Sequence, residues 1–430
     1  MTDFVLKGTI CYSKKLSEIK EVKNGYIVCV EGKSRGVFEK LPDEYKDLPV
    51  YDYGNKLIVP GLIDLHIHAP QFAYRGMGMD LELMDWLGEQ AFPEEAKYSD
   101  LAYAKKAYAI FAAQMKKSAT TRACIFATRH REATGLLMEL MEETGLVTYV
   151  GKINMDREAP DNLKEESAER SAYDTFGWIN ENAGKYQRTK PILTPRFIPS
   201  CTEKLLEELR EIRRTYKLPV QSHLSENLGE IEFVKELLPE AKFYGDGYDR
   251  YDLFGSIIED GVEAGTIMAH SVYSGREETE LIRKNGVWVA HCPASNMNLS
   301  SGIAPIRKYL DMGIRVGLGS DVAGGQSESI FRAMTDAIQV SKLYWRLVDE
   351  THKPITFAEA FYLATKGGGE FFGKVGSFEE GYELDAVVLD DSHLPCPHEL
   401  TPKQRLERFA YLSADGKGIE AKFVAGEKIE

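Results

Sequence analysis

The sequence predicts an α/β fold: a (β/α)8 TIM-like barrel with a small composite β-sandwich domain formed by the N- and C-terminal segments. Two observations carry this. Short β-rich apolar runs alternate with longer amphipathic ones through the middle of the chain, and there are eight of them. The two ends share a different texture, short alternating stretches punctuated by Gly, Asn and Lys with no room for crossover helices. The expected boundaries are 1–57 and 375–430 for the two parts of the small β domain and 58–374 for the barrel.

Taken in order, Phe4 to Cys11, Gly25 to Glu31 and Gly36 to Glu39 read as strands too few to close a core alone. Ile58 to Ile67 is apolar except at Pro60-Gly61, Asp64 and His66, and reads as one strand buried on both faces, the first of the barrel. The other seven are Ala119 to Ala127, Leu146 to Ile153, Pro191 to Phe197, Leu218 to His223, Thr266 to His270, Val287 to His291 and Ile314 to Ser320. Between them Ser99 to Lys117, Thr202 to Tyr216, Glu277 to Asn285 and Glu328 to Val348 have helical spacing. The strand texture returns at Gly381 to Asp390, Phe409 to Ser413 and Lys422 to Lys428, so the two ends are expected to pair.

The chain of 430 residues carries 53 Lys+Arg against 67 Asp+Glu, and its formal charge of -14 argues against a nucleic-acid or anionic-membrane surface. A small-molecule substrate is expected instead. The N-terminus has no apolar core of signal-peptide length, and no 18-residue apolar run follows, so a cytoplasmic protein is expected. The six Cys are far apart without a Cys-x-x-Cys pair, which predicts reduced, mostly buried thiols rather than disulfides or a thiolate metal site.

Barrel active sites lie at the C-terminal ends of the strands, so polar residues there are the chemically useful ones. In order they are His66 and His68, Arg196, His223, His270, His291 and Asp321. Alternate strand residues share a face, which puts His66 and His68 within reach of one metal. Asp64 shares that face but precedes the strand end, and reads as a buried supporting carboxylate. Glu226 follows His223 by three residues and approaches the same site only where the strand has ended and the loop folds back. Asp321 would stand opposite the paired imidazoles. Three neutral imidazoles and a carboxylate form an N/O donor set suited to Zn2+ or Fe2+, with a water activated near neutral pH. His130, His352, His393 and His398 lie in loop or helix contexts and are assigned to the surface.

Asp64-x-His66-x-His68, His223-x-x-Glu226, His270 after Met268-Ala269, His291-Cys292-Pro293-x-Ser295-Asn296 and Gly319-Ser320-Asp321 together resemble the amidohydrolase superfamily on its mononuclear aminohydrolase branch. The resemblance covers nearly the whole chain. The binuclear branch carries a bridging Lys at the end of the fourth strand, where this chain has Thr194-Pro195-Arg196-Phe197, so one metal is expected. Within the branch, His68-Ala69-Pro70-Gln71-Phe72, Thr194 to Phe197, Gln221-Ser222-His223-x-Ser225-Glu226-Asn227 and Asp321-Val322-Ala323-Gly324-Gly325 are similar to the guanine-deaminating group.

The resemblance implies hydrolytic deamination of guanine to xanthine, with one Zn2+ (Fe2+ as the alternative) held by His66, His68, His223 and Asp321. Attack on C2 would be assisted by Glu226 as proton donor to the ring, by Asp321 as proton carrier and by His270 as the group that orients the nucleophile. Gln71 and Arg196 would recognise the purine lactam, with Phe72 or Phe197 stacking on the ring. His291 and Asn296 would support the barrel mouth, and a homodimer is implied. The competing readings are the same chemistry on another amino-heterocycle (another purine, a pterin, cytosine or a triazine) and a non-catalytic scaffold, which predicts missing ligands. A nucleophilic-serine elbow, a dinucleotide fingerprint and the zinc ligands of the other deaminase fold are all absent from the sequence.

Overall fold

Pro60-Gly61 divides what reads as one long strand. Val50–Pro60 pairs with Phe4–Lys15 and Ala386–Leu389, whereas Leu62–His68 pairs with Thr120–Phe126. This corrects the single strand expected from Ile58 to Ile67, and the cause is local. Pro60 has no amide hydrogen to donate, and a β-carbon at Gly61 would lie 2.1 Å from Thr121 Oγ1, so only glycine lets the chain pass Thr121 between the two sheets. The computed structural model describes residues 3–259, 262–413 and 416–429.

Strands from both chain ends share one seven-stranded sheet in the order Glu427–Ile429, Ile419–Val424, Ala386–Leu389, Val50–Pro60, Phe4–Lys15, Glu18–Val30, Lys33–Phe38. Phe4, Leu6, Ile27, Ile58, Val388 and Phe423 are buried together in it. The expected strand at Phe409 to Ser413 is instead the end of the helix Pro402–Leu412. Thr401 caps that helix with Gln404 in a capping box, and Leu406, Phe409 and Ala410 bury one face at helical spacing, a period too long for a five-residue stretch to display.

The parallel strands follow one another in space as in sequence. Leu62–His68, Thr120–Phe126, Val147–Gly151 and Thr189–Pro191 form one run, and Val220–Leu224, Thr266–His270, Trp288–His291 and Arg315–Leu318 another. Ile153–Asn154 pairs with Thr194–Pro195. Two prolines limit the ladder of the fourth strand, which survives only as the short pieces Thr189–Pro191 and Thr194–Pro195. Leu193 N donates to Pro219 O at 3.0 Å, and Gln221 N donates to Leu193 O at 2.9 Å. At the other junction Asp321 N donates to His66 O at 2.8 Å, and His68 N donates to Val322 O at 3.0 Å.

Helices Leu101–Lys117, Glu203–Tyr216, Arg276–Asn285 and Ile330–Leu347 occupy the segments with helical spacing, and the side chains of Asp100, Thr202 and Ser329 cap three of them. Each of the six cysteines is free and five are buried, as expected. Of the four histidines assigned to the surface, His398 is exposed while His130, His352 and His393 are half-buried. Among the described residues no helix is long and apolar enough to cross a membrane.

Candidate active site

The backbone bonds between Leu62–His68 and the segment after Arg315–Leu318 bring Asp321 beside the two histidines. Gly319 permits this approach, because a β-carbon there would lie 2.9 Å from His66 Cβ and 2.8 Å from Cys292 Sγ. Asp64 is buried below them and accepts from Ser320 N at 3.0 Å, Ser320 Oγ at 2.5 Å and His66 N at 3.2 Å. It ties the first strand to the eighth, the supporting place its sequence position suggested.

His66, His68 and Asp321 bring potential ligand atoms within 4.8 Å of one another, and His223 stands beside His68. His66 Nε2 stands 3.2 Å from His68 Nε2 and 3.2 Å from Asp321 Oδ1; His68 Nε2 stands 3.5 Å from Asp321 Oδ1 and 3.3 Å from His223 Nε2. Two donors bound to one Zn2+ at 2.0–2.1 Å with a tetrahedral angle are separated by about 3.4 Å. The four spacings match that separation. His223 Nδ1–H donates to Arg196 O at 2.6 Å, which leaves the Nε2 lone pair for a cation. Burial holds all three imidazoles below their usual pKa, reinforced at His68 by His66 and at His223 by His66 and His270, so they stay neutral. Burial would raise the Asp321 carboxyl, but the contact with His66 Nε2 and the nearby His270, whose own pKa is raised, outweigh burial and lower it. Lone pairs and one negative charge buried this close together are the donor set a divalent cation needs. Potential ligand atoms of His66, His223 and His270 also lie within 4.8 Å of one another, as do those of His270, Cys292 and Asp321. Burial keeps Cys292 a thiol, which makes it a poor ligand.

Val220–Leu224 ends before Glu226, and Ser225, in the left-handed region at φ 45°, turns the loop back as Glu226 requires. Glu226 Oε2 lies 3.3 Å from His270 Nε2, and its Oε1 accepts from Ser301 Oγ at 3.0 Å. Burial pushes its carboxyl up to about 7. His270 reaches the site from φ 74° and stands 3.7 Å from Asp321 Oδ2. Burial disfavours its imidazolium, yet Glu226 and Asp321 outweigh that and raise its pKa. Asn296 Oδ1 accepts from His270 Nδ1 at 2.9 Å, so Asn296 orients a site residue rather than only bracing the mouth. His291 is buried beside them, and burial then His270 push its imidazole down to about 3.

A cavity opens over this group, lined by His68, His223, Glu226, His270 and Asp321 and by Gln71, Arg196 and Phe197. Leu83, Trp86, Leu87 and Leu299 complete its apolar wall. Phe72 lies behind it, against Phe111 at 5.5 Å and under the Arg75 guanidinium at 3.8 Å. Of the two rings expected to stack on the substrate, Phe197 lines the cavity and Phe72 does not. Gln71 and Phe72 are consecutive in the tight turn Ala69–Tyr74, where successive side chains diverge by about a third of a turn.

Sequence reasoning missed Trp86, Glu95 and Glu230. Glu95 accepts from Gln71 Nε2 at 2.9 Å and from Arg196 Nη1 at 2.6 Å. Glu230 accepts from Glu226 N at 3.0 Å and from Tyr244 Oη at 2.7 Å. Asn227-x-x-Glu230 is a capping-box pattern, so Glu230 left a signal; Glu95 lies in a helical stretch whose charges look solvated.

Residues 57–427 match the amidohydrolase family, and the chain belongs to it. Its relatives include guanine deaminase of Dictyostelium discoideum, 35% identical over 454 residues covering 99% of this chain and 98% of that one. Guanine deaminase of Mus musculus is 36% identical over 448 residues, covering 99% and 96%. The crystal structure of guanine deaminase from C. acetobutylicum with bound guanine in the active site is similar over 100% of both chains, with a TM-score of 0.95 and 44% identity.

Proposed function

We propose that this chain hydrolyses guanine to xanthine and ammonia. The observation that carries the proposal is one cavity lined together by the His68, His223 and Asp321 donors, by Glu226, and by Gln71 and Arg196. Its support is the 44% identity, over the full length of both chains, to an enzyme crystallised with guanine in its active site. A divalent cation held by His66, His68, His223 and Asp321 would supply Lewis acidity that makes water nucleophilic near neutral pH. The chain's residues do the rest. Glu226, with its carboxyl near neutrality, donates a proton to the ring nitrogen beside C2 as the new C2–O bond forms. Asp321 receives one proton of the attacking water and passes it to the amino group, which leaves as ammonia with the electron pair of the C2–N bond; the proton left on the C2 oxygen returns to Glu226 as the C2=O bond of xanthine forms. His270 Nε2 faces both carboxylates and orients the attacking oxygen between them. Arg196 and Gln71 hold the lactam edge, and Phe197 covers the ring.

The same reading takes the parallel strands as a closed (β/α)8 barrel over residues 58–374, with 1–57 and 375–430 as one composite β-sandwich domain. The backbone bonds at both junctions and the shared sheet of the two chain ends support it. One Zn2+, or Fe2+, per chain and a cytoplasmic homodimer belong to this reading; the neutral imidazoles and the free thiols support the metal and the compartment respectively. The test is ammonia release from guanine, adenine, cytosine and a triazine by metal-replete protein. Guanine should be strongly preferred; preference for cytosine or a triazine would refute the Gln71 and Arg196 assignment and leave the metal site standing.

A further inference from the structure

Gln71 and Arg196 meet behind the cavity wall at one carboxylate that does not itself line the cavity. Glu95 is 1% exposed, Gln71 2% and Arg196 3%. Glu95 accepts from Gln71 Nε2 through Oε1 at 2.9 Å and from Arg196 Nη1 through Oε2 at 2.6 Å. The other end of the Gln71 amide is also committed, since Ala323 N donates to Gln71 Oε1 at 3.2 Å. The helix that carries Glu95, Phe92–Ala96, follows the π turn Leu87–Ala91, a local widening of the kind found at functional sites.

An amide has two orientations of nearly equal shape, and its neighbours choose between them. Turning the Gln71 amide over would set Oε1 against the Glu95 carboxylate and an N–H against the Ala323 N–H, two buried repulsive contacts where two hydrogen bonds now stand. In the orientation held, Gln71 keeps one N–H and one carbonyl lone pair uncommitted, and Arg196 keeps further N–H donors. A lactam edge, C6=O beside N1–H, offers the matching acceptor and donor. A 6-amino edge offers the reverse order and would need the amide turned over. A buried ion pair adds little to stability by itself, so the Arg196–Glu95 pair is better explained by what it positions.

We infer that Glu95 is a positioning residue which, with the Ala323 amide, locks Gln71 and Arg196 into the polarity that reads a 6-oxo purine and rejects a 6-amino one. The inference rests on the guanine reading of the cavity and adds the source of its selectivity.

The experiment measures steady-state ammonia release from guanine and from 2,6-diaminopurine, which carries the same C2 amino group beside the reversed edge. It compares the parent protein with Glu95→Gln, with metal content and thermal midpoint recorded for both. In Glu95→Gln the amide facing Gln71 can itself turn, so KM for guanine should rise roughly tenfold with a smaller change in kcat, and the guanine preference in kcat/KM should fall by about tenfold or more. If Glu95→Gln does not fold, Glu95→Asp, too short to keep both partners, reads the same loss. An unchanged preference, with both substrates slowed in step with a lower thermal midpoint, would show a merely structural Glu95 and overturn the inference. A parent protein without guanine turnover would overturn the cavity reading itself, and this inference with it.

Discussion

Replacing Glu226 by Gln separates proton delivery from metal holding. Glu226 is 4% exposed, its Oε1 accepts from Ser301 Oγ at 3.0 Å, and its backbone N donates to Glu230 Oε2 at 3.0 Å. A glutamine keeps the shape, the Ser301 bond and the backbone anchor. It cannot exchange a proton with the substrate ring. Burial pushes the native carboxyl up to about 7, so a substantial share of it carries a proton at neutral pH and is ready to give it. A positioned general acid contributes about 10²–10⁴ in rate, which corresponds to about 3–5 kcal/mol of barrier. Glu226→Gln should therefore lower kcat for ammonia release from guanine by about two to four orders of magnitude while metal content stays at the parent value. A rate within twofold of the parent, or a parallel loss of metal, would refute the role.

Three further outcomes follow from the geometry. His223→Ala removes one of the facing imidazoles and should weaken cation retention by about a hundredfold or more, read as metal content after dialysis against a chelator. Phe197→Leu should raise KM for guanine several-fold, whereas Phe72→Leu should leave KM unchanged because its ring lies behind the cavity against Phe111. Gly61→Ala forces a methyl group onto Thr121 and should cost about 1–3 kcal/mol in urea unfolding, with Thr121→Ala added to it recovering most of the loss.

The residues that cluster at the strand ends were legible because their signal is local. His66 and His68 alternate on one strand, and His223, His270 and Asp321 sit where strands end, so period and position suffice to select them. The loop geometry that brings Glu226 back was a condition the sequence could state, and Ser225 meets it with its left-handed backbone. What stayed hidden depends on contacts between distant segments. Glu95 matters because Gln71 and Arg196 come to it, and Arg196 lies 101 positions away along the chain. Which of Phe72 and Phe197 reaches the cavity was hidden too, because the tight turn after His68 sends Phe72 away from its neighbour Gln71. The division at Pro60-Gly61 was hidden by a run of apolar residues that continues through both strands. Phe409 to Ser413 looked like a strand because its helical face begins upstream, at Leu406.

The central claim is that His66, His68, His223 and Asp321 hold the cation on which guanine hydrolysis depends. Ammonia release from guanine should therefore be measured before metal stripping, after it, and after stoichiometric Zn2+ is returned. The account predicts turnover that disappears with the metal and comes back with one equivalent per chain. Full turnover by the stripped protein would contradict it.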